Sequence, residues 1–182
     1  MTSVMAPSKP GSMIAPTPLD LRSALGRYAT GVTVIATVDS LGQPQGLTVN
    51  SFSALSLEPA LVLWSLRLES KLLEVFDQAR FYTVNVLSDQ QQLVSQAFAS
   101  SKGQKFAVAP HHVTDQGQVL IDGVITQFEC EAVSYQTEGD HRLYIAKVLQ
   151  VREMPGMPLV FYQGQYTSLS QPSTSTTSLA KD

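Results

Sequence analysis

The stretch Gly46–Ser56 reads GLTVNSFSALS and places small polar residues where a strand would normally carry bulk. Hydroxyl and amide side chains recur along it, at Thr48, Asn50, Ser51, Ser53 and Ser56. Side chains this small leave the neighbouring backbone N–H groups accessible, and hydroxyls both donate and accept hydrogen bonds. Such a run can hold a phosphate group or a planar heterocycle. The alternative is a polar edge strand whose hydroxyls meet only water.

The overall composition is that of one globular domain. The chain has 182 residues, of which 43% are hydrophobic and 15% charged, so it can bury a core of ordinary size. A formal net charge of -3 and the lack of any Lys/Arg run argue against a nucleic-acid partner. No apolar segment approaches the roughly 20 residues needed to cross a bilayer, and no signal-peptide pattern is present. We therefore expect a cytoplasmic protein without a membrane or nucleic-acid partner.

Cysteine and histidine usage predicts no metal site. The single cysteine, Cys130, excludes an internal disulfide and a thiolate cluster, and it fits a reducing compartment. His111 and His112 are adjacent, so their side chains would point apart in a strand, and no third ligand lies nearby. The sequence predicts that Cys130 packs in the core.

Strand patterns dominate the chain between two polar tails. Strands are predicted over residues 32–38, 44–49, 60–66, 81–87, 124–135, 141–151 and 159–162. Turns are predicted at 39–42 and 136–140. The nearly continuous apolar run at 60–66 indicates a central strand. In 124–135, Phe128 and Cys130 would share one face, and Gln127 and Glu129 the other. In 141–151, one face would carry His141, Leu143, Ile145, Leu149 and Val151.

Three helices are predicted from their capping signals. Thr17 suits an N-cap, with Pro18 at the first helical position, and Leu21, Leu25 and Tyr28 would follow on one face. Ser70 suits the N-cap of a second helix, whose positive end would favour an anion at Lys71. Residues 88–91 resemble a capping box for a third helix. The apolar face of that third helix would carry Leu93, Val94, Ala97 and Phe98.

Many strands at hairpin spacing with a few helices predict a mainly β fold, an antiparallel barrel with peripheral α-helices. Strand and helix alternate too irregularly for a doubly wound parallel sheet, and no Gly-x-Gly-x-x-Gly follows a strand. Residues 1–16 and 169–182 are rich in Pro, Ser and Thr and are predicted to be disordered tails. The domain would then span residues 17–168.

Several segments in consistent order resemble the flavin reductase-like family. They are Gly31–Val34, Gly46–Phe52, Phe81–Leu87, Gly139–His141 and Tyr162–Tyr166, and the resemblance covers roughly residues 19 to 167. The family implies an FMN-binding split barrel that acts as an NAD(P)H-dependent flavin reductase. Such a protein supplies reduced FMN (or FAD) to a partner monooxygenase or another acceptor. The family also implies a homodimer whose flavin sites lie beside the subunit interface.

The resemblance also implies which residues form the site. Flavin would be wrapped by Thr48, Val49, Asn50, Ser51, Phe52 and Ser53. Its phosphate would be held by Ser65, Leu66, Arg67, Ser70 and Lys71. Phe106 would lie in a loop that closes over the cofactor, and Tyr166 would cover the ring. Taken alone, Ser70 could be an ordinary N-cap, Arg67 and Lys71 solvated surface charges, and Tyr166 a core residue.

His141 resembles the histidine of a Gly-Asp-His motif near the nicotinamide side of the flavin. Taken alone, it could be a histidine that merely flanks a turn. The implied reaction passes hydride from nicotinamide C4 to flavin N5, with the two rings held about 3 to 3.5 Å apart. The cofactor performs the chemistry, so no acid–base pair with tuned pKa values is required. His141 would orient the nicotinamide or screen the charge that develops on the reduced ring.

Two alternatives use the same barrel. One is a non-catalytic flavin-binding or electron-transfer module. The other is a pyridoxamine-phosphate oxidase-like enzyme, although a phosphorylated substrate would favour more cations than the 12 Lys and Arg present here. The sequence leaves open FMN against FAD, NADH against NADPH, whether the flavin is bound or diffusible, and the identity of the acceptor.

Overall fold

The computed structural model describes residues 17–169, so the predictions for residues 1–16 and 170–182 lie outside the described residues. Its strands are β1 (Thr30–Gly31), β2 (Thr33–Val38), β3 (Pro44–Val49), β4 (Ser53–Leu57), β5 (Ala60–Arg67), β6 (Phe81–Val86), β7 (His111–Val113), β8 (Val119–Ile121), β9 (Thr126–Glu138), β10 (His141–Glu153), β11 (Val160–Tyr162) and β12 (Gln165–Thr167). Its helices are α1 (Pro18–Leu25), α2 (Leu73–Gln78) and α3 (Gln92–Ala99), with a 3-10 turn at Lys105–Val108.

A seven-stranded antiparallel sheet forms the body of the protein, in the order β3-β2-β6-β9-β10-β5-β4. A three-stranded sheet, β1-β11-β12, and the hairpin β7-β8 complete the architecture. The prediction of a mainly β, antiparallel fold with peripheral helices is confirmed. No helix within residues 17–169 has the length and apolar character that a membrane span requires.

The core has two layers because the central strands bury both of their faces. Along β2, Val34 packs in the layer that also holds Phe98 of α3, whereas its neighbour Ile35 packs in the layer that holds Phe76 of α2. Cys130 belongs to the second layer, as predicted, and burial raises the pKa of its thiol to about 12. The two helices are thereby attached to opposite faces of the sheet.

Strand β5 differs from its prediction. It pairs with β10 on one side and β4 on the other, but it lies next to the edge of the sheet. Its burial alternates, and only Val62, Trp64 and Leu66 are fully covered. The nearly continuous apolar run at 60–66 therefore did not indicate a central position in the sheet.

The β9–β10 hairpin differs from its prediction at the strand ends, and β9 buries side chains of both faces. Strand β9 runs on to Glu138 because the turn consists of only Gly139 and Asp140, with Gly139 at a φ of +58° that favours glycine, and β10 continues two residues past its predicted end. Gln127 and Glu129, predicted on the face opposite Phe128 and Cys130, are buried as well. They are covered because Gln127 donates to the carbonyl of Ile121 in β8 at 2.9 Å, and the carboxylate of Glu129 pairs with Arg152 at 2.8 Å.

Strand β10 buries alternate side chains and pairs irregularly with β9. The register with β9 shifts between Ile145 and Ala146 and again between Val148 and Gln150. Tyr144 and Ala146 are buried, whereas Leu149 and Val151, expected on a common face with His141, are exposed. Leu149 and Val151 are odd-numbered like Leu143 and Ile145, so alternation places them on the face opposite Tyr144 and Ala146, and that end of the face is left uncovered.

The helix starts were predicted with mixed success. Thr17 forms a reciprocal capping box with Asp20, which confirms that start, but α1 ends at Leu25 and buries none of its residues. Helix α2 begins at Leu73 instead of Ser70, whose hydroxyl accepts the N–H of Leu72 in the preceding turn.

Helix α3 begins after the predicted capping box, of which only one half forms. The side chain of Gln91 accepts the N–H of Ser88, and the helix starts at Gln92. Leu93, expected on the apolar face, is 73% exposed, whereas Ser95 is fully buried. Ser95 tolerates burial because its hydroxyl hydrogen-bonds Tyr166 at 2.9 Å.

Candidate functional site

A groove of about 1400 Å³ runs beside the outer edge of β3, where most of the predicted site residues come together. These are Thr48, Val49, Asn50, Ser51, Ser65, Leu66, Arg67, Ser70, Lys71, Phe106 and His141. They come from the end of β3, the end of β5 with the turn that follows it, the 3-10 turn, and the start of β10. Residues distant in sequence therefore line a single cavity.

Strand β3 offers backbone groups to the groove because it is the edge strand of the seven-stranded sheet. The carbonyl of Gly46 points outward, since it accepts the ammonium of Lys105 at 3.0 Å. Alternate residues of a strand point the same way, so the N–H of Thr48 is directed outward as well. An edge of this kind can hydrogen-bond a planar polar ligand.

Gly46 is required where α3 crosses β3. A Cβ at this position would lie 2.9 Å from the ring of Phe98 and 3.1 Å from the carbonyl of Ile35. Phe98 is buried between α3 and the sheet and also lines the groove. The absence of a side chain at Gly46 therefore allows α3 to form one wall of the groove.

Two of the predicted hydroxyls are already engaged within the protein. Thr48 donates to the carbonyl of Ser95 at 2.7 Å. Ser51 donates to the carbonyl of Ser65 and accepts its N–H, at 3.2 and 3.0 Å. These bonds tie the groove-lining segments together, and the donors left for a ligand on this side are mainly backbone N–H groups.

One end of the groove carries cations. Arg67 and Lys71 line it, and the guanidinium of Arg67 pairs with the carboxylate of Glu69 at 2.9 Å. The hydroxyl of Ser70 accepts a backbone N–H and retains its own proton for donation. The positive end of the helix dipole was predicted at Ser70 and Lys71, but it lies further along the chain because α2 begins at Leu73.

His141 opens β10 directly opposite Arg67 of β5, beside the cationic end of the groove. Its Nδ1 lies 2.7 Å from a carboxylate oxygen of Asp140 and donates to it, since a carboxylate only accepts. This hydrogen bond is the main reason why the pKa of Asp140 falls below its ordinary value. Nε2 of His141 is therefore the ring nitrogen left for a ligand.

Lys105 is a groove residue that the sequence analysis missed. Its ammonium holds the carbonyls of Gly46 and Phe98 at 3.0 and 3.4 Å, and partial burial lowers the pKa of this amine. The segment that contains Lys105 has no clear hydrophobic periodicity. The one sequence feature that could have indicated Lys105 as a site residue is its position directly before Phe106. Phe106 packs edge-on against Phe98, with 4.8 Å between the ring centroids.

Three predicted site residues lie outside the groove lining of the described chain. Phe52 packs against Phe128, with 5.5 Å between the ring centroids, and the hydroxyl of Ser53 bonds the carbonyl of the next residue. Tyr166 bonds Ser95 instead of facing the groove. Tyr166 is linked to the groove through Ser95, because the backbone carbonyl of Ser95 accepts a hydrogen bond from the hydroxyl of Thr48.

The groove is positively charged although the chain as a whole is acidic. Arg67, Lys71 and Lys105 face a single carboxylate, Glu69, among the described residues that line it. Within residues 17–169, no three His, Cys, Asp or Glu side chains form a group that could hold a metal ion. Local positive charge with backbone donors and an aromatic wall suits a planar ligand that carries phosphate.

The family model and the two similar proteins named here are all of the flavin reductase kind. The flavin reductase like domain matches residues 25–170. The chain is 36% identical over 150 residues to the FMN reductase (NADH) SmoA of Agrobacterium fabrum, covering 82% of this chain and 85% of that protein. It is 36% identical over 160 residues to the reductase subunit HsaB of a flavin-dependent monooxygenase of Mycobacterium tuberculosis, covering 86% and 85%.

The fold agrees with a solved structure of the same kind. The NADH:FAD oxidoreductase SgcE6 of Streptomyces globisporus, in complex with NAD and FAD fragments, superimposes with a TM-score of 0.81 at 26% identity, covering 88% of this chain and 98% of that one. The resemblance seen in the sequence motifs is therefore confirmed, and with it the split-barrel fold. The chain belongs to the flavin reductase-like family.

Proposed function

We propose that the protein is an NADH-dependent flavin reductase that transfers hydride from nicotinamide to FMN or FAD. The observation that carries the proposal is the convergence of the predicted flavin-binding segments on one groove with positive charge. The volume of about 1400 Å³ exceeds the range of roughly 300–1,000 Å³ typical for one drug-sized ligand. This leaves room for a flavin and a nicotinamide nucleotide together. The names of two relatives state NADH as reductant and support that choice.

The cationic end of the groove would hold the flavin phosphate. Arg67 and Lys71 supply positive charge, and the hydroxyl of Ser70 supplies a neutral donor. Glu69 already holds Arg67 at 2.9 Å, so a phosphate would compete with this carboxylate for the guanidinium. Such an arrangement favours a doubly charged phosphate over a neutral ligand.

The ring would lie along the edge of β3, with Phe106 on one side. The neutral N–H groups of Thr48 and its neighbours suit a ring whose charge changes on reduction, because they stabilise it without fixing one redox state. Bound flavin supplies the hydride-accepting ring, and the protein binds and orients the two substrates. No general acid or base is assigned to the groove residues.

His141 would orient the nicotinamide through its free Nε2. We expect His141→Ala to lower the anaerobic rate of flavin reduction about tenfold and to raise the KM for NADH, because orientation contributes strongly to hydride transfer. Stopped-flow absorbance of the oxidised flavin measures the rate. The role is wrong if neither the rate nor the NADH affinity changes.

Asp140→Asn provides the matched control for His141. It keeps the imidazole but weakens the bond that fixes its tautomer, so its effect should be smaller and should leave the Kd for FMN unchanged. In the wild type the bond should survive mild acid, because the pKa of Asp140 is lowered. The bond is lost only as the pH falls through that lowered pKa.

The reduced flavin would pass to an oxygenase component. Relatives that are named reductase subunits of flavin-dependent monooxygenases support this partner. The cytoplasm is the location we propose, because the only thiol of the chain is buried and unpaired, which fits a reducing compartment.

The test is an anaerobic assay of the purified protein with excess FMN and either NADH or NADPH. Many turnovers per protein molecule would establish a reductase that uses diffusible flavin, and the faster nucleotide would identify the reductant. Reduction of one equivalent of flavin, retained on the protein, would indicate a bound cofactor. Tight FMN binding without reduction by either nucleotide would leave a non-catalytic flavin module and reject the proposal.

We also propose a homodimer, because β4, β9 and β10 expose apolar side chains. These are Leu55, Leu57, Val133, Tyr135, Leu149 and Val151, between 46 and 87% exposed. Strands β9 and β10 are neighbours, only β5 separates them from β4, and exposed apolar side chains concentrated in one half of a sheet are typical of protein interfaces. We expect the double substitution Leu149→Glu with Val151→Lys to convert a dimer into a monomer in light-scattering chromatography. Leu41→Glu, at an exposed hairpin tip, is the control. A monomeric wild type would contradict the proposal.

A further inference from the structure

Strand β8 is attached to the large sheet by side chains instead of by a strand ladder. It is completely buried, and β7 is its only partner strand among the described residues. Its other edge faces β6 and β2. Buried N–H and C=O groups on that edge need partners, because leaving them unpaired costs free energy.

Asn85 in β6 supplies two of these partners, and Gln127 of β9 supplies another by donating to the carbonyl of Ile121. Its side chain is fully buried, and its Oδ1 accepts the N–H of Ile121 at 3.0 Å while its Nδ2 donates to the carbonyl of Val119 at 3.2 Å. The hydroxyl of Thr83 donates to the same Val119 carbonyl. The amide of Asn85 thus offers one acceptor and one donor to β8, as the backbone of a neighbouring strand would.

The pairing of β7 with β8 extends this attachment to the groove. Ile121 lies directly opposite His111, and His111 lines the groove. Nδ1 of His111 donates to the carbonyl of Ala109 at 2.8 Å, and its ring centroid lies 4.7 Å from that of Phe106. A displacement of β8 would therefore move the wall formed by Phe106 and His111.

We propose that Asn85 is a positioning residue of the flavin groove, which acts through β8 and β7 to hold Phe106 in place. Asn85 itself lies outside the groove lining, so its influence on a ligand is indirect. The inference rests on the proposed function, because it requires Phe106 to contact flavin. Loss of the attachment would loosen the wall and weaken flavin binding while leaving the cationic end intact.

A double-mutant cycle on the Kd for FMN tests this role, with flavin fluorescence as the measurement. The hydroxyl of Asn85→Ser cannot reach both Val119 and Ile121, and we expect the Kd to rise about fivefold or more. In a Phe106→Ala background the same substitution should change the Kd less than about twofold, because the group that Asn85 positions is gone. Equal fold-changes in both backgrounds would overturn the proposal, since a general loss of stability acts independently of Phe106.

Two threonines form a matched pair that remains informative if Asn85→Ser does not fold. Thr83 and Thr37 are both buried in the β2–β6 pair, and each donates its hydroxyl to a backbone carbonyl. Only the Thr83 hydroxyl also lies within hydrogen-bond distance of a β8 carbonyl, that of Val119, so that its single proton is shared between two acceptors. We expect Thr83→Val to weaken FMN binding and Thr37→Val to leave it unchanged, although both lower the melting temperature. Equal effects on the Kd would overturn the proposal.

The wild type separates this proposal from the proposed function. If the wild-type protein does not bind FMN, the flavin reductase function fails, and the role of Asn85 fails with it. If the wild type binds FMN and the cycle is additive, only the positioning role is rejected.

Discussion

Gly46→Val is expected to destabilise the protein by about 2–3 kcal/mol and to weaken FMN binding strongly, because it overpacks the junction of β3 and α3. Its Cβ alone would approach the ring of Phe98 to 2.9 Å and the carbonyl of Ile35 to 3.1 Å. Phe98 is 1% exposed and cannot swing into solvent, so α3 must move. That movement would also pull the Phe98 carbonyl, which belongs to α3, away from Lys105. Chemical denaturation measures the stability, and flavin fluorescence measures the Kd.

Gly31→Val is the matched control. A Cβ at Gly31 meets no atom within 4 Å, and the residue lies in β1, outside the groove. We expect a stability change within about 0.5 kcal/mol, as for other surface substitutions, and an unchanged Kd for FMN. If Gly46→Val behaves like Gly31→Val, the close packing of α3 on β3 does not shape the groove.

The double substitution Arg67→Gln with Lys71→Gln is expected to raise the Kd for FMN about tenfold or more, which corresponds to about 1.4 kcal/mol. Both cations line the end of the groove that would receive the phosphate, and Coulomb attraction to a phosphate dianion is lost when they are neutralised. Riboflavin, which has the same ring but no phosphate, should bind the variant and the wild type almost equally. The experiment compares the Kd of both ligands at low and high salt.

The salt series strengthens this test. Wild-type affinity for FMN should fall as salt rises, and the double variant should lose most of that dependence, because screening acts on charge pairs. Lys147→Gln, at an exposed position of β10 outside the groove, should reproduce the wild type for both ligands. An equal loss of affinity for FMN and riboflavin would show that these cations act on the ring side or on the fold, and it would contradict their assignment to the phosphate.

Local signals were predictable from the sequence. The β2–β3 hairpin appears where it was predicted, with strands close to 32–38 and 44–49 and the turn at 39–42 between them. Thr17 caps α1 because capping depends on residues only three positions apart. The motifs also predicted most of the residues that line the groove. Each motif keeps its own local conformation, and the family resemblance implied that the motifs meet at one flavin site.

Other features of the site depend on contacts between distant segments. Ser70 appeared to start a helix, but α2 begins at Leu73 and packs its Phe76 against Tyr144 of β10. The hydroxyl of Tyr166 bonds the buried hydroxyl of Ser95, a partner that the sequence did not indicate. A hydrogen-bond partner 71 residues away leaves no local pattern in the sequence.

The sequence by itself determined the mainly β class, the principal hairpins and the membership of the flavin reductase-like family, because side-chain alternation, turn chemistry and ordered motifs are properties of neighbouring residues. Only the tertiary structure decided that Lys105 joins the groove wall, that Leu149 and Val151 are left exposed, and that Asn85 carries β8. The physical reason is burial. A buried polar group must find a partner wherever the fold provides one, and the choice of that partner is made between strands that only folding brings together.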